Sequence, residues 1–501
     1  MFNLRIGSHL RGRDGDENSA LVERKDAMRQ FLSLLYIAYL FFVIFMIFFS
    51  RKKPTQRFSW ILVLVFLPVV GLIVYSLMGS EIYWDYKRRK IRQRHRPLFL
   101  ELDAIARKWH NRSGAELSPT QQFHFKRCGS ILTDDNAVEV FTNGRPKFAM
   151  LFEDLRAARD HIHVQYFTIH NDAIGQELIA ILKEKASQGV EVKLLYDSFG
   201  CGFTFVRPLF RELKEAGGKV QGIRPWARAL NYRNHRKLVI IDGRVGYLGG
   251  MNVGVHYAEG VGGMEWRDTH VRLTGGVVRD LQQIFISDWV ASARKGRLGF
   301  RQRLPHYFPE VESNGHLPAQ IIANGLYNKF IGQDVINLSY FNLISGAKER
   351  LWIQTPYFAP SEPVLQSLKT LALRGVDVRI MTSSYYTFGG LFHHNIKNYF
   401  FRQLIDSGVR VFKYKGIMHA KTMLVDDEQL CIGTVNLNVR SLERDDELFI
   451  YFESPEQNAH YSQIFQADLE HSIELDYARF RKETVLSRAL ESVVSLFSPL
   501  S

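Results

Sequence analysis

The chain has 501 residues, more than one ordinary core accommodates, so two or three domains are expected. Its net charge of +14 is concentrated in the first hundred residues, where 17 Lys/Arg face 7 Asp/Glu, and from Leu98 onward the balance is close to neutral. That distribution does not point to nucleic acid, and three scattered cysteines (Cys128, Cys201, Cys431) form neither a disulfide framework nor a zinc pattern.

Residues 1–30 read as an N-terminal cytoplasmic tail. Two uncharged apolar runs follow, Phe31 to Phe49 and Phe58 to Met78, each roughly 30 Å long as a helix and so long enough to cross a hydrocarbon core. A long charged segment precedes the first run and the run exceeds an h-region, so a signal peptide is not expected. A two-helix transmembrane hairpin over 31–79 is therefore expected. Cations flank it on both sides, most densely in "KRRKIRQRHR" (Lys87–Arg96), and the positive-inside rule puts both ends in the cytoplasm at the cell membrane. Residues 80–125 read as a basic juxtamembrane linker whose cations can hold anionic headgroups.

Beyond residue 125, strand and helix patterns alternate, and the order occurs twice. "HIHVQYF", "IGQELIAILKEKASQG" and "VEVKLLYD" in the first half are matched by "RLWIQTPYF", "VLQSLKTLALRG" and "VDVRIMTSS" in the second. This predicts an α/β fold of two duplicated lobes, 126–315 and 316–501, each with a parallel or mixed sheet. The closing "VLSRALESVVSLF" has apolar residues at helical spacing and is expected to pack on the core or to lie on the bilayer, core packing being the commoner outcome.

Each half then carries one polar constellation at equal spacing: His235, Lys237, Asp242 and Asn252 in the first, His419, Lys421, Asp426 and Asn436 in the second. On a strand each His and Lys, two apart, share a face. A hairpin about Gly243–Arg244 would set Asn252 opposite His235, and one about Asp427–Glu428 would set Asn436 opposite His419. Two imidazoles, two ammonium groups and two amides suit a phosphodiester. Lys237, Lys421, Asn252 and Asn436 would bind its phosphate oxygens. One histidine would attack phosphorus while the other protonates the leaving alcohol. Asp268 and Glu447 follow the motifs at similar distances and are assigned to orient the histidines. Asp242 and Asp426 sit near the turns and read as supporting residues. A lysine beside each histidine disfavours a metal, and no cofactor is expected.

A doubled H-x-K-x(4)-D, with His235, Lys237 and Asp242 in one copy and His419, Lys421 and Asp426 in the other, resembles the signature of the phospholipase D superfamily. The membrane hairpin before two such halves, with "IQTPYF", "WRDTHVRLTG" and "HAKTMLVDD", is similar to the bacterial cardiolipin synthases within it. The resemblance implies two lobes around a pseudo-twofold site, catalysis by both motifs, no metal and a phosphatidyl-histidine intermediate. By analogy His235 is the nucleophile and His419 the acid/base. The implied reaction joins two phosphatidylglycerol molecules into cardiolipin plus glycerol, with phosphatidylglycerol, other anionic phospholipids and the bilayer as partners. Gly250, Thr434 and Asp445 depart from the usual pattern. Hydrolysis or alcohol exchange on other phospholipids, a nucleic-acid phosphodiesterase and a silent lipid-binding scaffold are the competing readings. Oligomeric state is not legible.

Overall fold

The computed structural model describes residues 13–48, 54–75, 81–110, 114–202, 204–223, 232–292, 300–310, 315–325, 334–384, 390–478 and 485–495. They fall into two compact units, one covering Met1–Lys87 and one covering 88–225 and 231–501.

The first unit is helical. Helix α1 (Arg13–Phe48) contains one stretch, Arg24–Phe45, long and apolar enough to cross a membrane. Phe31, Leu34, Phe41, Phe45 and Phe48 on it are each more than half exposed. Burial of such a side chain contributes about 1.5–3 kcal/mol. The exposed set together therefore rivals the about 5–15 kcal/mol that holds a typical domain folded, which favours lipid over water as the solvent of this helix. The second apolar run is broken. Helices α2 (Pro54–Phe66) and α3 (Pro68–Val74) meet at Leu67, whose φ of −130° leaves the helical region. Pro68 lacks an N–H and disfavours a helical residue before it. The run still packs on α1, with the Tyr39 hydroxyl donating to the Pro68 carbonyl at 2.8 Å. Val43, Ile47, Leu64 and Tyr75 form the small core between them. Met78 lies outside the described residues.

Helix α4 (Glu81–Arg94) leads into the second unit and is followed there by α5 (Arg96–Lys108). In chain order the first half contributes strands β1 (Thr133–Phe141), β2 (His161–Tyr166), β3 (Glu191–Asp197), β4 (Lys219–Ile223), β5 (Leu238–Ile241), β6 (Val245–Gly249), β7 (Trp266–Arg267) and β8 (His270–Thr274). The second contributes β9 (Leu317–Ala323), β10 (Arg350–Gln354), β11 (Phe358–Ala359), β12 (Asp377–Ser383), β13 (Arg410–Tyr414), β14 (Ile417–Met418), β15 (Thr422–Val425), β16 (Gln429–Gly433), β17 (Leu437–Asn438), β18 (Leu448–Glu453) and β19 (Ser472–Glu474). Fifteen of them make one sheet in the order β19-β13-β12-β10-β15-β16-β18-β9-β1-β8-β6-β5-β2-β3-β4. Read outward from the central antiparallel pair β1–β9, the two sides are copies. β1-β8-β6-β5-β2-β3-β4 answers β9-β18-β16-β15-β10-β12-β13, and β19 adds an edge.

Each copy is mixed. The outer three strands run parallel, joined through helices, while the hairpin strands are antiparallel. The largely apolar runs "LVII" and "TMLV" form the fully buried hairpin strands, as expected of strands covered on both faces. The halves share a core in which Leu238 and Leu248 join Ile432 and Ile450, with Leu281 and Phe285 of the helix Val277–Ser292.

Two flanking helices are tied to this body. α5 buries Leu98, Leu102 and Ala106, and the Leu102 carbonyl accepts from Gln283 Nε2 at 3.0 Å. The C-terminal helix Val485–Ser495 docks on Gly390–Ile405 through an Arg402–Glu491 pair at 2.9 Å, leaving Leu490 and Val493 exposed. The three cysteines are free and buried.

Candidate active site

Both motif hairpins turn through three-residue loops that open with aspartate in the left-handed region, Asp242 at φ 54° and Asp426 at φ 49°. Aspartate tolerates that region better than most residues. The last pairs before each loop are Ile241↔Val245 and Val425↔Gln429. Continued to the histidines, this register puts Met251 opposite His235 and Val435 opposite His419. The expectation of Asn252 and Asn436 at those places is therefore one residue out, because a two-residue turn was assumed. A one-residue slip exchanges faces. Asn252 instead accepts from the Thr168 N–H at 3.2 Å and donates to the Tyr257 hydroxyl at 2.7 Å. Tyr257 in turn lies 6.0 Å from the His419 ring. Asn436 Oδ1 is buried with no hydrogen-bond partner among the described residues.

The two histidines and two lysines of the motifs converge, with Lys421 acting on His235 and Lys237, and Lys237 on His419. His235 and His419 are 14% and 12% exposed, enough to meet a substrate but not bulk water. His419 N–H donates to the Arg267 carbonyl of the first half at 2.7 Å, and His235 N–H donates to the Asp446 carbonyl of the second at 2.9 Å. Each half thus binds the other's histidine segment through backbone. Lys237 Nζ folds back on the His235 carbonyl at 2.7 Å, and Lys421 Nζ donates to the His419 carbonyl.

The carboxylates are exchanged between halves. Glu447 of the second half lies 3.0 Å from His235 Nδ1, and Asp268 of the first lies 2.6 Å from His419 Nδ1. Each ring therefore presents Nε2 to the site, with Nδ1 engaged by a buried acceptor. Thr434 Oγ1 donates to Glu447 Oε2. The matching position, Gly250, has no side chain, and a Cβ there would stand 2.0 Å from Asp268 Oδ1. Asp445 is held by Arg440 Nε at 2.9 Å and by the Arg233 N–H at 3.2 Å.

Behind the carboxylates stands a layer that motif reasoning missed. Arg236 Nε donates to the Glu447 carbonyl at 3.3 Å and its guanidinium pairs with Asp288. Arg267 Nη1 donates to the Asp268 carbonyl at 2.6 Å and pairs with Asp468. Gln165 and Gln354, at equivalent places in β2 and β10, each donate to that aspartate at 2.7 Å. The signal was available: a glutamine inside each of two matching apolar strands, "HIHVQYF" and "RLWIQTPYF".

Asp242 and Asp426 are not brought to the histidines, from which seven residues of strand separate them by roughly 20 Å. Asp242 accepts from the N–H groups of Arg159, Asp160 and His161, and Asp426 from those of Lys348, Glu349 and Arg350. Each holds the start of the neighbouring strand.

Burial shapes the electrostatics. It lowers His419 to about 4, with Lys421 acting the same way and Asp268 opposing. Burial also lowers His235, opposed by Glu447 and assisted by Lys237. Lys237 falls to about 7 and Lys421 to about 8, chiefly through desolvation. Burial pushes Asp268 and Glu447 up, but the facing histidine and lysine bring both below the ordinary carboxylate range. Two neutral imidazoles, two chargeable amines and two anionic carboxylates make an arrangement chemically suited to a phosphodiester.

The doubled lobe and the crossed histidines define a phospholipase D-like protein. The family profile described as cardiolipin synthase, PLD-like domain matches residues 151–289 and 340–469, and one described as phospholipase D-nuclease N-terminal matches 34–79. A cardiolipin synthase of Staphylococcus aureus is 36% identical over 482 residues, 93% of this chain and 95% of that protein. The major cardiolipin synthase ClsA of Bacillus subtilis is 34% identical over 94% of this chain and 98% of its own length. In fold, the chain is similar to the phosphatidylserine synthase of Haemophilus influenzae (TM-score 0.55, 16% identity, 73% of this chain and 95% of that one). The chain belongs to the cardiolipin synthase family of phospholipase D-like enzymes. It is a phosphatidyltransferase with phospholipid substrates, and with its apolar N-terminal helix it is membrane-associated.

Proposed function

We propose that the chain condenses two phosphatidylglycerol molecules into cardiolipin and glycerol through a phosphatidyl-histidine on His235. Nε2 of His235 attacks phosphorus of the donor, and the bond to the headgroup glycerol oxygen breaks as His419 Nε2–H protonates it. Glycerol leaves. A hydroxyl of the second phosphatidylglycerol then gives its proton to the now neutral His419 and attacks phosphorus, and the bond to His235 breaks. Both histidines return to their starting states. Lys237 and Lys421 neutralise the non-bridging oxygens, where charge accumulates. Glu447 and Asp268 fix the tautomers, and the phosphate's own charge raises His419 toward the acid form in the first step.

The observation that carries this reading is the pair of crossed histidine–carboxylate contacts, which arm two Nε2 atoms for one phosphorus. The doubled motif, with its lysines, supports in-line displacement from two sides. On this reading Asp242 and Asp426 act through the scaffold. We assign 1–30 as tail, 31–79 as a two-pass hairpin with both ends cytoplasmic, 80–125 as juxtamembrane linker, and 126–315 and 316–501 as the lobes. Flanking cations and the relatives' profiles support that assignment.

The test is product analysis of the purified protein in liposomes of phosphatidylglycerol alone. Cardiolipin with an equal amount of glycerol is expected. Phosphatidic acid as the main product would mean that water is the acceptor and would overturn the transferase reading.

A further inference from the structure

We propose that the second unit carries a second, non-catalytic site for an anionic phospholipid, in the cavity between the α4–α5 segment and the helix Val277–Ser292. The cavity is about 740 Å³, within the range of about 300–1,000 Å³ typical of ligand clefts. None of its lining residues belongs to the histidine site.

Its lining is amphipathic in the way a lipid is. Arg89 and Arg92, three apart on α4, and Arg96 at the start of α5 all line the cavity. Asp103, the one acidic side chain among the described lining residues, already pairs with Arg107 at 3.2 Å and acts on Arg92. Three guanidiniums against one engaged carboxylate leave an excess of positive charge. Guanidinium is the side chain suited to bidentate phosphate binding. Arg89, Arg96 and Leu100 are exposed, whereas Leu102, Ala106 and Cys128 are buried, so charge lies outward and apolar surface inward.

The polar groups of the inner wall make no demand on a ligand. Gln283 is bonded to the Leu102 carbonyl, and Ser287 donates to the Gln283 carbonyl at 2.8 Å. What remains is a cationic mouth over an apolar floor, which neither a free sugar nor a nucleotide would fill. A phosphate headgroup at the arginines with the upper part of an acyl chain on Leu102 and Ala106 uses both halves. Leu100, 58% exposed, continues the apolar path outside. Arg89 also follows the last residue of α3 by about fifteen residues, the stretch where juxtamembrane cations meet anionic leaflets. The cavity argument stands apart from the catalytic reading and can fail alone.

The experiment uses the full chain in phosphatidylcholine nanodiscs carrying a photoactivatable acyl-chain phosphatidylglycerol, or the matching phosphatidylcholine probe. Labelled peptides are then mapped by mass spectrometry. Phosphatidylglycerol should label segments 96–106 and 283–287 at least about tenfold above phosphatidylcholine, a difference of about 1.4 kcal/mol. The triple variant R89Q/R92Q/R96Q should lose that preference. Ala106→Phe, which fills the floor and keeps the charges, should lose the labelling itself. Thermal melting checks that both variants are folded, and continued cardiolipin formation in detergent checks that the catalytic site is intact. Equal labelling by the phosphatidylcholine probe, or none at these segments, would overturn the proposal. Loss of labelling to millimolar inorganic phosphate would mean a free-anion site, and would overturn it too.

Discussion

Glu447 reaches from the second half of the chain to Nδ1 of His235 in the first, at 3.0 Å, and Asp268 makes the reverse crossing to His419 at 2.6 Å. Neither motif histidine is paired with a carboxylate from its own half. The site therefore exists only when both lobes of the sheet are assembled, and loss of one carboxylate acts on the opposite lobe's histidine.

That exchange gives a directional prediction. With a phosphatidyl donor carrying an activated nitrophenyl leaving group, Glu447→Gln should abolish the fast first release, because it misorients His235. Asp268→Asn should keep that release and slow turnover. Each substitution should lower steady-state turnover by about a hundredfold or more, as when the orienting acid of a triad is neutralised. If Asp268→Asn abolishes the release and Glu447→Gln spares it, the crossing does not operate in catalysis.

The lysines should act on the transition state rather than on membrane attachment. Lys237→Ala or Lys421→Ala should lower kcat by about 10²–10³-fold, the usual consequence of removing one preorganised donor to a developing anion. Flotation with liposomes should be unchanged. Full activity in either variant would remove the phosphate clamp from the account.

The same groups set a pH dependence. Lys237 and Lys421, lowered to about 7 and about 8 by burial, are charged below those values and lose charge as pH rises through them. A bound phosphate favours the charged amines, so affinity for a soluble phosphodiester should fall between pH 7 and pH 9, with proton uptake on binding at pH 8. Calorimetry in buffers of different ionisation enthalpy measures this. Because burial lowers both histidines, the acid limb of activity should lie below pH 6.5.

Much of this was legible in the sequence, and the limits have physical causes. The repeated spacing of His235, Lys237, Asp242 and His419, Lys421, Asp426 located the site, because a strand's two-residue period constrains neighbours strongly. It did not reveal turn type, and Asp242 in a left-handed conformation lengthened the loop and shifted the register by one. Asp268 and Glu447 stand out in the sequence as candidates, and the structure sets each against a histidine Nδ1. Which histidine each serves depends on the β1–β9 junction, and no local pattern encodes that. Arg236 stands between His235 and Lys237 in the first motif, but only its buried contact with Asp288 gives it a purpose. The second apolar run likewise reads as one helix by hydropathy, and the structure breaks it at Leu67–Pro68.

Asp242 and Asp426 should prove to be scaffold residues. Alanine at either position leaves three strand-entry N–H groups without their acceptor and replaces an aspartate that tolerates positive φ with a residue that tolerates it less well. A loss of about 1–3 kcal/mol in stability is expected, seen in denaturant melts, with activity retained below the transition. An inactive but fully stable Asp426→Ala protein would contradict this.

Gly250 offers a check on the asymmetry of the two pairs. A methyl group there meets Asp268 Oδ1 at 2.0 Å, so Gly250→Ala must displace the carboxylate that serves His419. The variant should resemble Asp268→Asn, with the first release kept and turnover slowed. An unaffected turnover would show that Asp268 has room to move without consequence.

The central claim is covalent catalysis by His235 with His419 as its acid/base partner. The most direct measurement is rapid-quench labelling of the His419→Ala protein with radiolabelled nitrophenyl phosphatidyl donor, followed by peptide mapping under alkaline conditions that preserve a phosphorus–nitrogen bond. The account predicts a stoichiometric burst of nitrophenol and label on the peptide containing His235, and neither in His235→Ala. A burst in His235→Ala with label at His419 would reverse the roles. Turnover without histidine label in the wild-type protein would contradict the covalent route itself.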